Sequence, residues 1–171
     1  MPNAPGLHFN LSHSGELALL AVAPRPVGVD VELVRSGRDV DRLSRRFFPA
    51  PERELVARGG RPAFARLWTR KEACVKAVGG RLAEGLALPV AHAAAQATVH
   101  APDPAHAPGA PVGPVGPWRV ADLLLPDEPE PYAGSVALLG DGPFVVSRHT
   151  WTRWAPWAGS SVDEASRTGV K

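Results

Sequence analysis

Apolar residues recur about 100° apart along residues 64–78, FARLWTRKEACVKAV. Phe64, Leu67, Trp68, Val75 and Val78 share one stripe, which predicts an amphipathic helix, and Gly79-Gly80 stops it. A different period governs residues 27–34. Val27, Val29, Val31 and Leu33 alternate with Gly28, Asp30 and Glu32, the pattern of a strand with one apolar face. The apolar run at 16–23 also has strand length, and Pro24-Arg25-Pro26 breaks it, so the two runs predict an antiparallel hairpin. Residues 8–15 read as a strand end running into a turn. Residues 40–48 predict a short basic helix stopped by Pro49, and 51–57 a further helical turn or two closed by Gly59-Gly60. Residues 82–88 read as a loop, with a short strand near 95–100. Three strands follow at 118–125, 132–139 and 144–151, the last two joined by an Asp141-Gly142 hairpin turn. The pattern predicts an α+β fold, an antiparallel sheet packed on a long central helix.

Some polar positions cut across this pattern. Lys71 falls in the middle of the helix stripe, where a charge is costly unless an anion waits for it. Glu72 lies at the edge of the stripe, with Lys76 one turn further on. Two readings fit. Lys71 snorkels and Glu72–Lys76 is a surface pair, or a carboxylate and two ammoniums hold a metal–phosphate group. Asp30 and Glu32 face one side of their strand about 6.5–7 Å apart, close enough to reach one hard cation or simply to line a wet face. Three carboxylates suit Mg²⁺, and lysines beside it suit a pyrophosphate.

Composition narrows the field. The 171 residues suffice for one domain with a real core. A net charge of +2 gives no argument for nucleic acid. The single cysteine, Cys74, allows no internal disulfide, projects to the flank of the stripe as a buried structural thiol, and fits the cytoplasm. No apolar run is long enough to span a membrane. There is no P-loop, HExxH, CxxC or GxSxG motif. Residues 1–7 are expected to be a flexible lead-in, 8–154 the domain with a mobile Ala/Pro/Gly-rich loop at about 90–117, and 155–171 a disordered tail.

In order and spacing, FNLSHSG, VGVDVE and FARLWTRKEACVKAVGGRL resemble the three-motif signature of the Sfp-type 4′-phosphopantetheinyl transferases, in the WxxKEA form of the broad-specificity subgroup. The resemblance covers about residues 8–154. It implies an α+β fold of two similar halves with coenzyme A between them. It implies transfer of 4′-phosphopantetheine from coenzyme A to a serine of an acyl or peptidyl carrier protein, with release of 3′,5′-ADP. Asp30, Glu32 and Glu72 then correspond to Mg²⁺ ligands, and Glu72 also to the base. Lys76 corresponds to the residue that stabilises the pyrophosphate, Ser12 and His13 to coenzyme A phosphate contacts, and Lys71 to a second phosphate contact. The family carries most of a half-domain before FNLSHSG, where this chain has eight residues, so either the start is truncated or another chain replaces that half, and the chain is expected either to self-associate or to bind coenzyme A weakly. The alternatives are a family member that binds coenzyme A or a carrier protein without turnover, and another Mg²⁺-dependent phosphate enzyme.

Overall fold

The computed structural model describes residues 6–35, 39–92, 94, 96–101, 116–125 and 131–151, with the Glu84 side chain left aside. Most of the expected lead-in, much of the expected 90–117 loop, residues 126–130 and the expected tail lie outside these residues. Strand β1 (His8–Ser14) and β2 (Leu17–Ala23) form a hairpin. Strands β3 (Val27–Leu33), β4 (Gln96–Val99), β5 (Trp118–Asp122) and β6 (Tyr132–Leu139) form an antiparallel sheet in the order β3-β6-β5-β4. Helices α1 (Val40–Phe47), α2 (Ala50–Ala77) and the single turn α3 (Leu82–Gly85) lie between β3 and β4. The α+β expectation holds.

Two expectations about strands need correction. The run at 17–23 pairs with β1, not with β3. Gly15, at φ 57, closes the tight β1–β2 turn, while Pro26 O accepts from Leu139 N at 2.9 Å and hands the chain to β6. Residues 144–151 form no strand. The Arg25 guanidinium donates to Gly142 O, Gln96 Nε2 donates to Phe144 O at 2.6 Å, and Phe144 packs on a small core with Val27, Val136 and Leu138. Val27, Val29, Val31 and Leu33, the apolar face of β3, are all buried. The outer face of the β1–β2 hairpin exposes Phe9, Leu11, Leu20 and Val22.

Helix α2 breaks where the glycines predict, at Gly60 (φ 60, ψ −143). Its second part lies across β3, β6 and β5, over the main core of Phe64, Leu67, Trp118, Val120 and Ala137. Gly28 sets the closest approach, because a Cβ there would stand 2.0 Å from Ala73 O and 2.5 Å from Ala77 N. The helix backbone therefore rests directly on the Asp30-bearing face of β3. Three successive residues lock its rotation. Thr69 Oγ1 and Ser135 Oγ are 3.0 Å apart, and Arg70 makes two 2.7 Å bonds to Asp122. Lys71 makes the third.

Candidate functional site

Lys71 is fully buried, as its place in the stripe predicts, and an anion does wait for it. That anion is the chain's own Glu52, with Oε2 2.8 Å from Nζ. The ammonium also donates to Leu86 O at 2.9 Å and to Leu88 O, and lies 4.9 Å from the centre of the Phe48 ring. Glu52 Oε1 accepts from Val90 N at 2.7 Å. Burial pushes the Lys71 ammonium down, and the Glu52 carboxylate partly offsets this. The charge is satisfied inside the protein, where it joins both parts of α2 to the loop after α3. Periodicity in the sequence reveals the buried lysine but not its partner, which sits on the far side of the Gly60 break.

One turn further along the helix, the opposite arrangement appears. Lys76 Nζ lies 2.7 Å from Asp30 Oδ1 and donates to Ser12 Oγ at 3.1 Å and Val29 O at 3.4 Å. Asp30 is buried, and its Oδ2 has no hydrogen-bond partner. Burial pushes the Asp30 carboxyl above the usual carboxylate range against the pull of Lys76 and Ser12. Glu72, half-buried on the same helix, is also raised, first by burial and then by the charge of Asp30, with Glu32 adding to it and Lys76 opposing it. Asp30, Glu32, Glu72 and Lys76 thus share one electrostatic neighbourhood. Among the described residues, no group of three or more His, Cys, Asp or Glu side chains is placed to hold a metal ion. The donors are nonetheless all hard carboxylate oxygens, one buried and orphaned, which fits a cation such as Mg²⁺.

Ser12 and His13 part ways. Ser12 is buried, and its single hydroxyl proton goes to Asp30 Oδ1 at 2.8 Å, so it has none to give a phosphate. His13 is exposed and lines a cavity of about 450 Å³ with Glu32, Arg35, Arg61, Phe64 and Trp68. Trp68, half-buried, stacks on Phe64 with ring centres 5.5 Å apart, and Phe64 on Phe48 at 5.2 Å. Cys74 is buried with its thiol pushed up to about 12 by desolvation, an inert core group. Asn10, Ser14, Glu52, Arg70 and Asp122 escaped the sequence reading. Only the first two leave a trace there, as the period-2 polar positions of FNLSHS.

Residues 26–103 match the model of the 4′-phosphopantetheinyl transferase superfamily. The 4′-phosphopantetheinyl transferase HetI of Nostoc is 44% identical over 84 residues, 46% of this chain and 35% of that protein. A 4′-phosphopantetheinyl transferase of Bacillus subtilis is 36% identical over 93 residues, 53% of this chain and 39% of that protein. The Sfp transferase of Bacillus subtilis strain 168 is 31% identical over 118 residues, 63% of this chain and 50% of its own length. The chain spans about a third to a half of the length of these relatives. No helix among the described residues is long and apolar enough to cross a membrane.

Proposed function

We propose that this chain is a 4′-phosphopantetheinyl transferase that moves the phosphopantetheine group of coenzyme A onto a serine of an acyl or peptidyl carrier protein in the cytoplasm. The observation that carries this reading is the meeting of Asp30, Glu72 and Lys76 within the segment that matches the superfamily. Asp30, Glu32 and Glu72 would hold Mg²⁺. When bound, the ion supplies Lewis-acid polarisation of the phosphoryl group and offsets charge on the departing oxygen. Glu72, its basicity raised by burial and by Asp30, takes the serine proton. The serine oxygen bonds to the phosphorus that carries pantetheine, and the bond to the 3′,5′-ADP side breaks. Lys76, partly open to solvent, and His13, beside Glu32, face the pyrophosphate. Self-association through the exposed hairpin face of Phe9, Leu11, Leu20 and Val22 would supply the far wall of the coenzyme site.

The test is the intact mass of a purified carrier protein incubated with this chain, coenzyme A and Mg²⁺. The expected result is a gain of one phosphopantetheine, abolished by EDTA. Coenzyme A binding with no mass gain would replace this reading with that of a non-catalytic binder.

A further inference from the structure

Strand β3 is an edge strand of its sheet, and its open side is not paired by backbone. Side chains of β1 cover it instead, one at every second residue. Val29 N donates to Asn10 Oδ1 at 3.0 Å, Val31 N to Ser12 Oγ at 3.3 Å, and Leu33 N to Ser14 Oγ at 3.0 Å. A backbone-paired neighbour would satisfy the same donors but would bring no side-chain hydroxyl to the carboxylates. Here two of the three rungs do more than cover the edge. The Ser12 hydroxyl donates to Asp30 Oδ1 at 2.8 Å, and that of Ser14 donates to Glu32 Oε2 at 3.4 Å. Each serine thus bridges a backbone amide of β3 to the carboxylate one residue before it. A hydroxyl has one proton and two lone pairs. Ser12 spends the proton on Asp30 and accepts from Val31 N and Lys76 Nζ, so its capacity is filled within the protein.

We propose that Ser12 and Ser14 are positioning residues. They fix the rotamers of Asp30 and Glu32 from the strand that bears them, and so aim the carboxylates toward the helix that brings Glu72 and Lys76. Asn10 makes the same kind of backbone contact without a carboxylate partner, and serves as an internal control. The inference rests on the reading of Asp30, Glu32 and Glu72 as Mg²⁺ ligands. Partners of this kind, which orient a metal ligand without touching the metal, typically change metal affinity by about 10–100-fold when removed.

The experiment is calorimetric titration of Mg²⁺ alone into the full chain and three alanine variants, with thermal unfolding of each in parallel. Ser12→Ala is expected to weaken Mg²⁺ binding by about tenfold or more, with Ser14→Ala showing a smaller loss across its longer contact. Asn10→Ala is expected to lower the unfolding temperature as the serine variants do, yet bind Mg²⁺ as the wild type does. Ser12→Thr, which keeps the hydroxyl, should restore affinity to within a few-fold. Equal Mg²⁺ affinity in Ser12→Ala and wild type would overturn the positioning role. Equal losses in all three alanine variants would do the same by reducing the ladder to glue. No Mg²⁺ binding by the wild type would instead strike the functional reading, and the positioning role would fall with it.

Discussion

Two lysines five residues apart on α2 show what separates a structural charge from a chemical one. Lys71 is wholly buried against an equally buried Glu52, one cation to one anion, with carbonyls and an aromatic ring taking the rest of the ammonium. Lys76 stays 29% exposed and meets a carboxylate whose second oxygen has no partner, with Glu72 and Glu32 pressing on the same neighbourhood. The deeper charge is the balanced one. A buried lysine by itself therefore says little about function, because the interior admits it only with its debt of solvation already met. A buried carboxylate oxygen left without a partner beside a partly open lysine is different, since a compact protein gains nothing by burying it unmet.

The largest effect should come from the carboxylate cluster around Lys76. Glu72→Gln or Asp30→Ala is expected to cut transfer by about 10²–10⁴-fold or more while the fold persists. Circular dichroism with a carrier-protein mass assay checks both halves of that statement, and a fully active variant would remove Asp30 or Glu72 from the chemistry. The balanced pair should respond in the other coin, stability. Lys71→Met leaves the Glu52 carboxylate buried and uncompensated, at a cost of about 3–5 kcal/mol by denaturant unfolding. The double variant Lys71→Met/Glu52→Met should recover most of the loss, as buried ion pairs replaced by packed apolar groups commonly do.

The pH dependence sharpens the contrast. Asp30 and Glu72 are both raised above their ordinary values of 3.8 and 4.5. A raised carboxyl favours the folded state below its unfolded value, and that advantage is lost as pH rises through the higher folded value. Glu72→Gln should therefore be more stable than wild type at neutral pH without divalent cations, and equal to it in acid. Asp122 behaves in the opposite sense. Burial alone would raise it, but the hydrogen bonds and charges of Arg70 and Arg66 outweigh burial and hold it below its ordinary 3.8. Its contribution is present above that value and disappears as pH falls through the depressed one. Unfolding temperatures of Glu72→Gln and Asp122→Asn across pH should move apart in these two directions, and parallel curves would contradict the assignment. The smallest effect belongs to Trp68, which is half-buried rather than enclosed. Trp68→Ala is expected to cost about 1–3 kcal/mol, below the usual range for a fully buried tryptophan.

Periodicity made much of this legible in advance. The helix stripe put Lys71 inside and Glu72 at its edge, and the alternation at 27–33 set Asp30 and Glu32 on the face that α2 covers. What it missed depends on contacts remote in sequence. Glu52 reaches Lys71 only because the chain breaks at Gly60, and Arg70 finds Asp122 only through the β5–β6 register. Length and alternation mark strands without naming partners, so the pairing of 17–23 with β1 is not legible from them. Gly15 and the Pro24–Pro26 corner decided the pairing.

The most direct test of the central claim sets the two lysine neighbourhoods against each other in one assay, the intact mass of a carrier protein after incubation with coenzyme A and Mg²⁺. Wild type and Lys71→Met/Glu52→Met should both add one phosphopantetheine, and Glu72→Gln should add none. A folded Lys71→Met/Glu52→Met protein that transfers nothing, beside a Glu72→Gln protein that transfers normally, would place the chemistry at the buried pair and contradict the account.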